Sequence, residues 1–234
     1  MKQVKLCVCL GSDWPYLWPD YVGKVDLVEL RIDQMFVQKW APQTAVADLD
    51  FFAAALGPVC MAAAGKWIFT CRDGFLDETE QAALLTKLLP QTPAYIDIAC
   101  DSLSLTQEQQ ALADRAKAQG IGLIFSLHRF DEVPEIQTLY SFTNLAFALG
   151  ADLVKAVCYC RDASGEARLL SLYRDREHLG RIISFGMGPY SLSSRLHAAA
   201  LGAPIIYLAP DQGAETAPGQ PRYTQFKEHL VNIL

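Results

Sequence analysis

Eight short apolar runs recur along the chain: Val4–Leu10, Val25–Ile32, Trp67–Cys71, Ala94–Ala99, Ile121–Leu127, Ala151–Cys158, Arg181–Phe185 and Pro204–Leu208. Their Val, Ile, Leu, Phe and Cys positions are mostly consecutive rather than alternating, the pattern of a strand covered on both faces. Between them apolar residues return at helical spacing, most clearly over Ala41–Leu56, Asp77–Leu89, Thr106–Gln119, Glu135–Leu149, Leu169–Leu179 and Ser191–Leu201. Thr106 and Gln109 form a capping-box pattern, and Gly120, Gly150 and Gly202 stand where helices should stop. Strand starts are mostly about 21 to 30 residues apart, the length of one βα unit. Eight parallel strands with right-handed crossovers predict a (β/α)8 barrel, one domain over residues 1–234. An open doubly wound sheet is the alternative, but no Gly-x-Gly-x-x-Gly follows the first run and Gly65-Lys66 lacks the upstream glycine of a phosphate loop. The weakest segment is the first crossover, where Pro15 and Pro19 interrupt the helical pattern.

Charge narrows the ligand class. With 20 Lys+Arg against 26 Asp+Glu and no long basic run, neither nucleic acid nor an anionic membrane is the expected partner. An anionic small molecule must then be held by a local cluster. The seven cysteines are an odd number, and the pairs Cys7/Cys9 and Cys158/Cys160 are spaced C-x-C, so neither a disulfide framework nor a zinc site is indicated. The first apolar run is too short for a signal peptide or a spanning helix, and a reducing cytoplasm is the expected location. The oligomeric state is open, a homodimer being one option.

In a closed barrel the active site lies at the C-terminal ends of the strands, which draws attention to Glu29, Arg31, Arg72, His128, Lys155 and Arg195. Lys155 sits between apolar neighbours in Ala151-Asp152-Leu153-Val154-Lys155-Ala156. Desolvation and nearby cations there should lower its pKa and leave a neutral amine able to attack a carbonyl, so its removal should relieve a burial cost. The bland alternative is a lysine reaching solvent along its stem. His128 ends the neighbouring run and should lie beside Lys155 as a proton carrier. Glu29 and Arg31 share a strand face and either pair with each other or serve a ligand. Arg195, in the helix after the seventh run, is either a surface residue or the third arginine of a cluster matched to a carboxylate.

In these residues the chain resembles the type I 3-dehydroquinate dehydratases of the shikimate pathway. The likeness runs from Val4 nearly to the end and rests on Asp26–Asp33, Thr70–Arg72, Ser126–Asp131, Ala151–Lys155, Met187–Arg195 and Ala217–Gln220. It implies that Lys155 forms a Schiff base and that His128 is the general acid and base. It further implies that Arg195 grips the substrate carboxylate, that Glu29, Arg31 and Arg72 address ring hydroxyls and the charge network, and that Thr216 and Gln220 belong to the loop closing the site. The substrate would be 3-dehydroquinate. The implied chemistry needs no metal or organic cofactor: the C3 ketone condenses with the lysine, the iminium acidifies the C2 proton, and the enamine expels the C1 hydroxyl as water.

The sequence departs from the family pattern at Leu76, where a glutamate is usual, at Ser191 and Thr216, where glycine and serine are usual, and at Ala99, where an acid is common. Leu76 leaves open what orients His128: Asp77 or Glu78 first, Glu29 next, or no direct replacement. The missing glutamate also admits a catalytically impaired barrel kept for binding. A class I aldolase would likewise use a lysine on the sixth strand, but would usually need a phosphate site that neither Ser184–Ser191 nor Pro210–Gln220 convincingly provides.

Overall fold

The structure, a computed structural model, describes residues 4–34, 49–72 and 76–231. Its strands are β1 (Lys5–Leu10), β2 (Leu27–Arg31), β3 (Trp67–Thr70), β4 (Tyr95–Ala99), β5 (Gly122–Arg129), β6 (Leu153–Tyr159), β7 (Ile182–Met187) and β8 (Ile205–Leu208). All pair in parallel in the order β7-β6-β5-β4-β3-β2-β1-β8. Helices lie between them: α1 (Trp14–Tyr21), α2 (Leu49–Ala62), α3 (Glu78–Leu88), α4 (Gln107–Ala118), α5 (Ile136–Ala148), α6 (Ala163–Ser171), α7 (Ser191–Ala200) and, after β8, α8 (Tyr223–Val231). The result is a nearly closed (β/α)8 barrel. Among the described residues no helix is long and apolar enough to cross a membrane.

Local signals explain most of these elements. Thr106 and Gln109 exchange both capping-box hydrogen bonds, and Asp77 and Glu80 do the same at α3. Gly120, Gly150 and Gly202 have positive φ, as helix-terminating glycines do. The first crossover is helical after all, because Pro15 occupies the first turn, where a missing N–H breaks no bond. The helix expected at Leu169–Leu179 lies further toward the N-terminus: Asp162 caps α6 by accepting from the Gly165 N–H at 2.8 Å. Beyond Leu172–Arg174, Asp175 draws in the N–H groups of Glu177 and His178 and ends the helical path. The expected Ala41–Leu56 helix falls partly outside the described residues, as 41–48 are not among them; α2 runs six residues beyond its expected end. Helix α8, absent from the clearest periodic segments, buries Tyr223 and Phe226.

Strand register places the polar residues. Thr70 is level with Asp97 and Arg31, and Lys155 is level with Ser126. His128 is level with Val157, so it stands one inward position above Lys155 rather than directly beside it.

No ladder joins β7 to β8 among the described residues. Side chains satisfy the free edge of β7 instead. Tyr173 Oη accepts from the Ser184 N–H at 2.7 Å, and Ser194 Oγ accepts from the Gly186 N–H at 2.8 Å. Arg195 spans the seam itself, donating from Nη1 to the Gly186 carbonyl on β7 (2.9 Å) and from Nε to the Tyr207 carbonyl on β8 (3.0 Å).

Candidate active site

At the C-terminal end of the barrel a cleft is lined by Glu29, Arg31, Arg72, His128, Lys155, Arg195, Thr216 and Gln220, together with Cys9, Thr70, Phe185 and Tyr207. All eight site residues expected from the sequence therefore converge.

Lys155 lies deep in it, 5% exposed. Its Nζ donates to Asp97 Oδ2 at 2.9 Å and Glu29 Oε1 at 3.3 Å, and sits 4.0 Å from the centre of the Tyr207 ring. Burial pulls the ammonium pKa down, but Asp97 and Glu29 outweigh it and hold the value above the ordinary one. The expectation of a neutral resting amine is thus corrected: two buried carboxylates keep Lys155 charged. The reciprocal effect holds Asp97 and Glu29 below the usual carboxylate range; burial alone would raise both, and Lys155 is the largest opposing influence on each.

Asp97, inside the Ala94–Ala99 run rather than at its end, is not among the site residues expected from the sequence. Its signal was the same as that of Lys155, a lone charge inside an apolar strand. Fully buried on β4, Asp97 accepts from Lys155, from Arg72 Nη2 at 3.0 Å and from Ser126 Oγ in a short hydrogen bond. Arg72 in turn reaches Ser126 Oγ at 2.7 Å and His128 Nδ1 at 2.6 Å. A guanidinium only donates, so Nδ1 must accept and the neutral imidazole carries its proton on Nε2. Burial, then Arg72, Lys155, Arg31 and Arg129, depress the His128 pKa well below 6.5.

No carboxylate touches the His128 ring among the described residues. Asp77 caps α3 and Glu78 is exposed in its first turn, which is their bland role; Glu29 is engaged by Lys155 and Thr70. Residues 73–75 lie outside the described residues. Among the described residues Leu76 therefore has no direct carboxylate replacement, and an arginine occupies the histidine's inner nitrogen.

The remaining groups frame the cleft. Arg31 does not pair with Glu29; it makes a two-pronged ion pair with Asp33 (3.0 and 2.6 Å) and donates to the Thr216 carbonyl at 2.9 Å. Gln220 Oε1 accepts from the Thr216 N–H and hydroxyl at 3.1 and 3.0 Å, and its amide reaches Cys9 Sγ at 3.2 Å. Gly219, at φ +68, lets this loop approach closely enough for the Pro218 carbonyl to accept from the Gly188 N–H; a Cβ there would lie 2.9 Å from the Gly188 oxygen.

Arg195 is 1% exposed and not a surface residue. Its hydrogen bonds go to the carbonyls of Gly186, Ser191 and Tyr207 and to the Ser191 hydroxyl, and its guanidinium stacks 4.2 Å from the Phe185 ring centre. It has no ion-pair partner among the described residues, and burial pushes its pKa down to about 9. The cluster thus sets four cations, Arg31, Arg72, Lys155 and Arg195, against three carboxylates, Glu29, Asp33 and Asp97. The unmatched charge belongs to Arg195. Among the described residues no group of three or more His, Cys, Asp or Glu side chains is placed to hold a metal ion.

Comparison with known proteins decides the family. Residues 18–233 match the family model for type I 3-dehydroquinase. The chain belongs to the type I 3-dehydroquinase family. A 3-dehydroquinate dehydratase of Pyrobaculum aerophilum is 38% identical over 144 residues, 62% of this chain and 44% of that protein. One from Thermococcus onnurineus is 29% identical over 204 residues, 85% of this chain and 83% of the relative. The crystal structure of the 3-dehydroquinate dehydratase from Geobacillus kaustophilus superposes with a TM-score of 0.82 at 20% identity, covering 99% of this chain and 91% of that one, which shows a shared fold.

Proposed function

We propose that this type I 3-dehydroquinase is a cytoplasmic hydro-lyase that converts 3-dehydroquinate to 3-dehydroshikimate and water through a Schiff base on Lys155. The observation that carries the reading is the pairing, in one cleft, of a deeply buried lysine with a buried arginine that lacks a counter-ion. A ligand bearing both a ketone and a carboxylate serves both groups.

Lys155 rests as an ammonium and must lose a proton before attacking. Asp97 and Glu29 are within hydrogen-bond distance to receive it. Nζ then attacks C3, a second nitrogen proton passes to the carbonyl oxygen, and the carbinolamine hydroxyl departs as water with the proton lent to the carboxylate. The products of this stage are one iminium cation and one water, with charge conserved. The iminium acidifies the C2 proton, whose electron pair is drawn into an enamine.

His128 takes the C2 proton only after its tautomer changes, because its outward nitrogen starts protonated. A ligand hydroxyl that draws Arg72 away frees Nδ1 to carry the proton and exposes a basic Nε2. The imidazolium so formed returns its proton to the C1 hydroxyl, which leaves as water while the enamine collapses back to the iminium. Water then releases 3-dehydroshikimate and restores the Lys155 ammonium. Arg195 donates to the carboxylate from Nη2, since Nε and Nη1 already bond Tyr207, Gly186 and Ser191, and Thr216 and Gln220 fix the loop over the cleft.

Borohydride added with 3-dehydroquinate should reduce the iminium to a stable secondary amine, giving a mass shift that peptide mapping assigns to Lys155. Adduct at another lysine, or turnover without any trappable adduct, overturns the reading. Formation of the conjugated product, followed by its ultraviolet absorbance, separates an active enzyme from a barrel that only binds.

A further inference from the structure

At its ring His128 bonds Arg72; at its backbone it is gripped twice. Strand β4 ends at Ala99, level with Ser126, and the last rung toward β5 is the Cys100 N–H donating to the Ser126 carbonyl at 2.8 Å. In a continued parallel ladder the next β5 amide facing β4, that of His128, would donate to the Cys100 carbonyl. A turn takes that carbonyl away, since it accepts from the Leu103 N–H at 3.2 Å. The His128 backbone N–H donates to Asp101 Oδ1 instead, at 2.7 Å.

Arg129 closes the clasp. Its Nη1 donates to the His128 carbonyl at 3.1 Å and lies 3.6 Å from Asp101 Oδ1, while Nη2 donates to the Asp101 carbonyl at 2.8 Å. Both backbone polar groups of the histidine are thus bonded, one by a carboxylate and the other by the guanidinium that pairs with it. The turn that presents Asp101 is itself strained: Leu103 has φ +56, a left-handed conformation that non-glycine residues keep only where their surroundings over-determine it. Asp101 and Arg129 are 32% and 34% exposed, where an ion pair adds little stability, so what the clasp supplies is direction. We propose that Asp101 is a positioning residue for proton transfer: its carboxylate, braced by Arg129, replaces the missing β4 rung and sets where the His128 ring stands above Lys155. This assignment rests on the reading of Lys155 as the Schiff-base lysine and His128 as the proton carrier.

The test compares wild type, His128→Ala, Asp101→Ala and Asp101→Asn in two assays. One is kcat with 3-dehydroquinate; the other is the 3-dehydroshikimate concentration giving half-maximal borohydride trapping at Lys155, a step in which the histidine moves no proton. Asp101→Ala should lower kcat about tenfold, the effect of a lost charged hydrogen bond that lets the base drift, while half-maximal trapping stays within about twofold of wild type. It would be a milder copy of His128→Ala. Asp101→Asn, whose amide oxygen can still accept from the His128 N–H, should recover kcat to within about threefold of wild type. Asp101→Leu, similar in shape but without an acceptor, takes the place of the alanine variant should urea unfolding show that one misfolded. A loss of kcat below about threefold, trapping that weakens in step with kcat, or an asparagine variant as slow as alanine overturns the role of Asp101. Wild type without a Lys155 adduct overturns the Schiff-base reading, and His128→Ala with normal turnover overturns the histidine's role; either removes this assignment too. A fast Asp101→Ala beside a trappable wild type and an inactive His128→Ala overturns this assignment alone.

Discussion

Asp97 and Glu29 change what Lys155 contributes to the molecule. A buried lysine without partners would be a burden whose removal stabilises, as the sequence alone suggests. Held between two buried carboxylates, it is their counter-ion. Lys155→Ala should abolish turnover and also destabilise the fold by about 3–5 kcal/mol, since breaking a buried pair leaves uncompensated charge. In urea unfolding the deficit should shrink as the pH is lowered: wild type loses the stability from its depressed Asp97 and Glu29 pKa values as it passes down through them, while the variant gains by protonating the same groups. A deficit independent of pH would show that the carboxylates do not depend on the lysine. His128 gives a second pH signature. Because burial and four cations depress its pKa, the base form persists on acidification, and the histidine limb of kcat/KM should fall well below pH 6.5, measured over a range where the protein stays folded. Lys155 and His128 were legible in the sequence because each breaks the apolar pattern of a strand, and Arg195 because it lies in the first turns of the helix after the seventh run. Their partners were less so, since which carboxylate meets which cation depends on inward register around the barrel.

At the scale of the element, short-range chemistry was the most readable. The capping box at α4 and the glycine stops fall where the sequence puts them, because cap and turn geometry are fixed by a few adjacent residues. The misplaced helix α6 shows the limit: Leu169, Leu170 and Leu172 suggest a helix centre, yet Asp162 starts the helix earlier and Asp175 prevents its extension. Helix α3 carries a prediction that separates the two roles open to Asp77. Asp77→Ala should cost about 1 kcal/mol of stability through loss of the cap. Its kcat should stay within about twofold of wild type, because the carboxylate bonds the Glu80 N–H and does not reach the histidine. A large fall in kcat with normal folding would restore Asp77 to the catalytic machinery.

For the whole molecule, eight alternating units were enough to read the barrel, since parallel pairing and right-handed crossovers leave few other arrangements. They did not reveal that one pair of neighbouring strands is joined by a side chain rather than a ladder. That side chain is Arg195, so its loss should cost more than the carboxylate grip that the family resemblance implies. Arg195→Ala should raise KM at least about tenfold, the effect of losing a charged hydrogen bond to the carboxylate, and should also lower unfolding stability by about 1–3 kcal/mol as buried carbonyls lose their donor. Steady-state kinetics and urea unfolding on the same preparation check both halves; a variant with normal stability would deny the arginine its part in the seam.

An arginine that laces two strands and also waits for an anion makes the rim of this barrel responsive to its contents. Amide protons report it directly. The N–H groups of Ser184 and Gly186 are sheltered by a phenol and a serine hydroxyl instead of a neighbouring strand, so they should exchange with deuterium sooner than the β7-facing amides of β6. When a carboxylate settles on the guanidinium, the arginine becomes harder to displace from the Gly186 and Tyr207 carbonyls, and exchange along β7 should slow by a factor set by ligand affinity. By the same linkage, anything that pries β7 from β8 loosens the hold on substrate, so the gap in the hydrogen-bond hoop serves as a latch whose bolt is the ligand.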